Sequence, residues 1–488
     1  MTAAAIQAGR PQAWATSDAL AAGLAIAARA TALTFIALPA PVTAAAAIAG
    51  ALRDQPRVAW SSGELTVAGV GAARELRGSG PDRWAAIVGA AGELEIAGAV
   101  IAGAAAEVAA LGAARPRWLG GAAFAPGAAD RAPWLGFGDA WFVLPRWTYV
   151  RDGAAAQLVL AIDPREADQP ARWHDELAVL HAAIAAFAAR PQPALVELQR
   201  ASAAEWHDQV VAITEAIAAG TCSKIVAART CTLAFAGAVR PADLLAALDS
   251  RHADCVRVLI QPPNAGALVA ATPERLVRRD GDLVWCDALA GTRSVAPGEE
   301  PAASHDQIVA DASAALLASA KDRREHALVV QAIRAALAEW AEVDAPAEPD
   351  IRALRHVVHL HTPFRARLAS PRHVLELAAR LHPTPAVGGT PREVAVDWIR
   401  TREPVARGWY AAPVGWFDLD GNGELAVAIR SGVLTGNRAH LWGGAGIVAG
   451  SDPDRELAET ELKLRAMLGA LGVNEAPEPG GTTGGTEA

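Results

Sequence analysis

The chain has 488 residues, is 52% apolar and 20% charged, and carries a formal net charge of -9. That length buries a large core, and the composition excludes an intrinsically disordered, collagen-like or disulfide-scaffold protein. The acidic balance, with no basic stripe, argues against a nucleic-acid partner. Cys222, Cys231, Cys255 and Cys286 form no CxxC pair, so neither a disulfide framework nor a zinc site is expected. The N-terminus lacks a basic stretch followed by an apolar run, and a cytoplasmic location is expected.

Ala30–Leu52 is uncharged and about long enough to span a bilayer, but Pro39 and Pro41 interrupt it and alanine leaves it only weakly hydrophobic. It reads as a buried strand (Leu33–Leu38), a proline turn and a helix, so no membrane partner is expected. Val58–Trp60, Leu65–Val67, Ala140–Leu144 and Ala155–Ile162 read as strands, and Trp173–Ala189 as a helix. Pro191-Gln192-Pro193 reads as a joint. Leu198–Ala219 reads as helical, followed by strands Ile225–Phe235 and Val256–Gln261. Arg275–Arg279 and Leu283–Cys286 predict a hairpin closed at Asp280-Gly281. Ser304–Val343 reads as one long helical region. Val414–Phe417, Glu424–Leu434 and Ala439–Trp442 predict a meander, and Asp454–Leu471 a final helix. Residues 474–488 are rich in Gly, Thr and Pro and predict a disordered tail. Long helices mixed with antiparallel hairpins predict α/β layering of the α+β kind rather than repeated βαβ units.

Two motif matches fail on their context. Asp418-Leu-Asp-Gly-Asn-Gly begins like a calcium loop, but position 12 is Ile429 rather than a bidentate carboxylate. A hairpin turn is expected there. Gly444-Ala-Gly-Ile-Val-Ala fits a relaxed dinucleotide pattern, but Gly450-Ser-Asp-Pro delays the helix that must open within the glycines.

Of the 44 basic residues only Lys224, Lys321 and Lys463 are lysine. A composition that replaces lysine by arginine leaves lysine where arginine cannot serve, because a lysine amine can lose its proton. Lys224 opens an apolar strand, where burial disfavours the charged form. Asp322 and Glu325 lie three apart and share one helix face. Glu456, Glu459 and Lys463 repeat this on the last helix. Two helices each presenting a carboxylate pair are candidates to hold one hard cation such as Mg²⁺. Surface ion pairing, as for Glu459–Lys463, is the structural alternative. Glu274 stands just before a strand, and Gly291-Thr292 form a corner whose amides suit a carboxylate.

The C-terminal two-thirds resembles the chorismate-utilising enzymes: isochorismate synthases, salicylate synthases and the synthase subunits for anthranilate and aminodeoxychorismate. The matching segments are Ser223-Lys-Ile-Val-Ala-Ala-Arg, Thr272-Pro-Glu-Arg-Leu, Ala288-Leu-Ala-Gly-Thr-Arg, Lys321-Asp-Arg-Arg-Glu-His and His359-Leu-His-Thr-Pro-Phe. Leu381-His-Pro-Thr-Pro-Ala-Val-Gly-Gly, Tyr410-Ala-Ala-Pro-Val-Gly-Trp, Ala428-Ile-Arg, Gly444-Ala-Gly-Ile-Val and Glu456-Leu-Ala-Glu-Thr-Glu-Leu-Lys follow in family order.

The resemblance implies one large unit of antiparallel sheets packed with helices. Residues 1–195 complete the fold, residues 196–473 form the chorismate-binding catalytic part, and 474–488 form the tail. It implies Mg²⁺ on the ring carboxylate of chorismate, a nucleophile adding at C2 and loss of the C4 hydroxyl. A lysine at position 224 activates water in this family, and ammonia-using anthranilate synthases lack it. Aminodeoxychorismate synthases have a lysine where this chain has Ala290. Isochorismate synthase is therefore the favoured member, an isomerase whose product feeds menaquinone or siderophore synthesis. Salicylate synthase, which eliminates pyruvate afterwards, is the alternative.

The implied roles are residue by residue. Lys224 is the base and Glu274 the acid. Glu325 and Glu459 ligate the metal directly, and Asp322 and Glu456 act through water. Gly291, Thr292, His359, Tyr410, Arg430, Gly444, Ala445, Gly446 and Lys463 contact substrate. No glutamine amidotransferase subunit is expected, and a monomer is. Asp287, where isochorismate synthases often have glutamate, and Ala320, where a polar residue is usual, depart from the pattern.

Overall fold

The computed structural model describes residues 16–295, 305–354 and 357–473. The tail expected to be disordered and the start of the helix expected at Ser304 lie outside the described residues. Most strand pairs are antiparallel, and helices pack on the sheets. Strands from the first part of the chain pair directly with later ones. Arg57–Ser62 lies beside Val256–Gln261, and Arg117–Ala122 beside Pro413–Asp418.

The central strands, such as Ala267–Thr272 and Ala140–Asp152, are largely apolar runs because both of their faces are covered. Along Ala267–Thr272, Leu268 and Ala270 enter one core, whereas Ala267, Val269 and Ala271 enter a second. The second core lies against helices Thr16–Ala27, Pro170–Ala186, Pro241–Arg251 and Pro453–Ala470. No helix among the described residues is long and apolar enough to cross a membrane. Ala30–Leu52 contains the strand Leu33–Pro39, buried up to its terminal proline, and beyond Pro41 the short helix Ala45–Ala49.

Several boundaries differ from the sequence reading, each for a local reason. Leu195–Arg200 is a strand beside Lys224–Phe235, and the helix begins at Ala203 after Ser202, whose side chain accepts from the Glu205 amide. Thus Leu198–Arg200 are not helical. The long helical region breaks at Ser319 into His305–Ala318 and Ala320–Leu337, and Ala341–Asp344 is a strand. Ser319 accepts the Asp322 amide at 3.3 Å and so restarts the helix as its cap. The first hairpin turns at Gly281-Asp282 rather than Asp280-Gly281, because Asp280 pairs with Leu283. Glu424–Leu434 divides into Gly423–Val427 and Ser431–Thr435 around Arg430, whose φ is +48°. Asp418 and Asn422 close a hairpin turn, as expected, and Gly444 lies within the strand Arg438–Ile447.

Gly408 shows how closely this core is fitted. Its φ is +53°, and a Cβ there would stand 2.1 Å from the Trp134 indole, which is fully buried. Gly408→Ala is expected to lower unfolding free energy by roughly 1–3 kcal/mol, read by urea denaturation.

Candidate active site

The candidate side chains are delivered by the sheet and by two helices. Lys224 is the first residue of the strand Lys224–Phe235, held between Gly389–Thr390 and Arg438–Ile447. Glu274 follows strand Ala267–Thr272 across Pro273, and its carbonyl accepts from the Val427 amide at 3.0 Å. Glu325 lies one turn into the helix begun by Ser319. Glu456, Glu459 and Lys463 lie on the helix Pro453–Ala470, whose cap Asp452 accepts from the Arg455 amide at 3.0 Å.

One cavity collects most of the set. Glu274, Glu325 and Glu459 line it together with Lys463, Arg430 and His359. Gly291, Thr292, Tyr410, Gly444 and Gly446 complete the predicted lining. Strand alternation turns Gly444 and Gly446 to the cavity and sends Ala445 into the core beneath, so Ala445 offers no side chain to a ligand. Asp322, Glu456 and Lys224 do not line the cavity; Lys224 meets it through its ion pair with Glu325, which does. Asp322 packs behind Gly291, and Glu456 is buried between the two helices.

Each lysine of the chain is ion-paired with one of the candidate glutamates. Lys224 Nζ stands 2.8 Å from Glu325 Oε1, Lys321 Nζ 2.6 Å from Glu456 Oε1, and Lys463 Nζ 2.7 Å from Glu459 Oε1. Lys224 is 0% exposed, and a lysine so buried requires such a partner. Only the third pair was legible as helical spacing. The other two join elements far apart in sequence. Gly446 permits the first pair, because a Cβ there would meet Glu325 Oε1 at 2.4 Å and Lys224 Cε at 2.9 Å.

The buried carboxyls are driven apart electrically. Burial pushes Glu274 up to about 8, aided by the nearby Asp287 charge and opposed by Lys224, Lys463 and Arg430. Burial acts on Glu325 as well, but the Lys224 ion pair, with Lys463 and Lys321, outweighs it and holds that carboxyl below its ordinary range. The result is a neutral acid and an ionised carboxylate in one cavity. Burial also raises Tyr410, which stays a phenol.

Arg407 also lines the cavity and carries no signal in the sequence, being one arginine among many. It is buried, donates to the carbonyls of Val387 at 2.6 Å and Val226 at 2.7 Å, and pairs with Glu403. Its guanidinium lies against the rings of Phe124 and Tyr410. Trp442 stacks on Tyr410 with ring centroids 5.9 Å apart.

Among the described residues no group of three or more His, Cys, Asp or Glu side chains is placed to hold a metal. The four carboxylates therefore do not form a closed cage. Glu325 and Glu459, from different helices, do face one cavity. That set fits Mg²⁺, which takes one or two carboxylates and fills its remaining positions with water and anionic substrate oxygens.

A family model described as chorismate binding enzyme matches residues 28–472. The chain is 38% identical over 436 residues to the salicylate biosynthesis isochorismate synthase of Pseudomonas aeruginosa, covering 87% of each chain. It is 41% identical over 251 residues to the isochorismate synthase MenF of Bacillus subtilis, an alignment spanning 51% of each chain. The solved structure of the menaquinone-specific isochorismate synthase MenF of Escherichia coli superposes with a TM-score of 0.74 at 26% identity. That superposition covers 93% of this chain and 99% of the other. The chain belongs to the chorismate binding enzyme family.

Proposed function

We propose that this chain is a Mg²⁺-dependent isochorismate synthase that adds water at C2 of chorismate with loss of the C4 hydroxyl. The observation that carries this reading is a buried amine, Lys224, close enough to act electrostatically on a buried acid, Glu274, that keeps its proton to about pH 8. Lys224 Nζ takes the proton of the attacking water. Glu274 gives its proton to the departing C4 hydroxyl, which leaves as water. One water enters and one leaves, so the product is an isomer of the substrate.

In the structure Lys224 Nζ donates to Glu325, so accepting a proton requires the Glu325 charge to be engaged elsewhere. Glu325 and Glu459 are the residues we assign to the cation. When bound, Mg²⁺ supplies the positive charge that holds the substrate ring carboxylate. Glu456, held by Lys321, and Asp322, behind Gly291, stand outside the cavity and support it from the second row. Arg430 and Lys463 bring cationic donors to the same cavity, suited to substrate carboxylates. Water as nucleophile makes an amidotransferase subunit unnecessary, and we propose a cytoplasmic monomer.

Purified protein incubated with chorismate and Mg²⁺ is expected to give isochorismate as the separated product, with activity lost in chelator. Salicylate with pyruvate, an ammonia requirement, or activity retained in chelator would overturn the proposal.

Lys224→Ala and Glu274→Gln are each expected to lower kcat at least about a hundredfold while Mg²⁺ still binds, measured by calorimetry. For the parent enzyme, kcat/KM is expected to fall as pH rises through about 8, where Glu274 loses the proton it must donate.

Keeping Glu274 neutral also costs stability. Below the unfolded value of 4.5 the carboxyl is protonated in both states, and between 4.5 and about 8 only the unfolded chain releases its proton. Folding is therefore progressively disfavoured as pH rises through that window. Glu274→Gln removes this term. Its stability advantage over the parent is expected to widen by at least about 1 kcal/mol between about pH 5.5 and about pH 7.5 in denaturant titrations.

A further inference from the structure

We infer that His359 is a positioning residue: a neutral imidazole that fixes the Arg430 guanidinium and takes no part in proton transfer. This rests on the cavity being the chorismate site, and adds how one of its cations is aimed.

The argument begins at Gly291. The strand Leu283–Ser294 slips register between Ala290 and Thr292 against Val357–Leu368, and Gly291 has φ +72°. This bulge places the Gly291 carbonyl 3.1 Å from His359 Nδ1, with Thr292 Oγ1 at 3.2 Å from the same nitrogen. A carbonyl only accepts, so Nδ1 carries the hydrogen.

On the other side of the ring, an Arg430 terminal nitrogen stands 2.7 Å from Nε2. A guanidinium only donates, so Nε2 is the bare acceptor. Two unrelated contacts thus require the same neutral tautomer. An imidazolium would set an N–H against the donor of a fixed cation. Burial, Arg430 and Lys463 all disfavour that charged form.

Arg430 needs such an anchor. Its left-handed backbone, between strands Gly423–Val427 and Ser431–Thr435, aims the side chain into the cavity. Several rotatable bonds then separate that backbone from the guanidinium. The contact with His359 holds one terminal nitrogen and leaves other N–H groups for a substrate carboxylate. The imidazole therefore acts on substrate through Arg430.

The first test reads the ring directly. In ¹⁵N-histidine-labelled protein, the signals lost in His359→Gln are expected to show the Nδ1–H tautomer at neutral pH in long-range ¹H–¹⁵N spectra. The Nε2–H tautomer or an imidazolium would overturn the inference. This reading requires no turnover, so it stands apart from failure of the isochorismate synthase proposal.

The second test is a mutant cycle. His359→Leu is expected to raise the KM for chorismate at least about tenfold with kcat changed less than about threefold. In an Arg430→Ala background the same replacement is expected to change KM less than about twofold. His359→Gln, whose amide oxygen reaches the place of Nε2, is expected to keep KM within about threefold of the parent. Equal effects in both backgrounds, or a kcat loss at unchanged KM, would overturn the inference.

Discussion

The ion pair between Lys224 and Glu325 is the constraint around which the cavity is organised. It joins residues 101 apart in the chain, the start of a central strand and a helix packed on the sheet. Neither charge is tolerable alone at that depth, because removing one partner of a buried pair leaves an uncompensated charge costing about 3–5 kcal/mol. The pair therefore fixes where the helix sits relative to the strand. It also explains Gly446, since any side chain there would occupy the space of the contact. The pair is weak evidence for net stability. Its importance is that it stores an amine and a carboxylate, each engaged, in a place otherwise hostile to both.

The same pair accounts for the split between the two buried carboxyls. Glu325 and Glu274 are both removed from water, but only Glu325 has a lysine within hydrogen-bonding distance. Glu274 has Asp287 near it, which His361, Arg275 and Arg352 hold ionised against the effect of burial. A fixed negative charge on one side, and lysine charge spent on other carboxylates, leave Glu274 with its proton. Residue type alone does not distinguish the two glutamates. Their neighbours do, and these come from different elements.

That is also where reading the sequence stopped. The scarcity of lysine and the order of the motifs mark Lys224, Glu274, Glu325 and Glu459 in the sequence alone, and the antiparallel layering is legible from hairpin signals. The cross-helix partners of Lys224 and Lys321 are not, because tertiary packing alone brings them together. Arg407 and Glu403 were missed for a related reason: in a chain where arginine is the ordinary cation, a structural arginine looks like any other. Leu198–Arg200 was misread because an apolar alternation beside a helix start fits either state until a neighbouring strand supplies its hydrogen bonds. The division at Arg430 was hidden because a non-glycine residue gives no sign that it will adopt a left-handed backbone.

Why lysine, and not the arginine used nearly everywhere else, persists at the three positions follows from shape as well as acidity. The ammonium is a compact charge with three donors in a tetrahedral spread, whereas a guanidinium is a planar fork. Lys463 uses that spread, donating to Glu459 Oε1 at 2.7 Å and to the Gly444 carbonyl at 2.8 Å, so one head group ties the last helix to the glycine strand. Lys224 sits where even a Cβ at Gly446 would stand 2.9 Å from its Cε, so a broad planar fork would be crowded there. Arg430, by contrast, has a ring nitrogen beside it that takes one prong and leaves the others to the cavity. The division of labour between the two cation types is thus set by the space each head group occupies. In the proposed mechanism, position 224 alone adds the capacity to shed a proton as a second requirement.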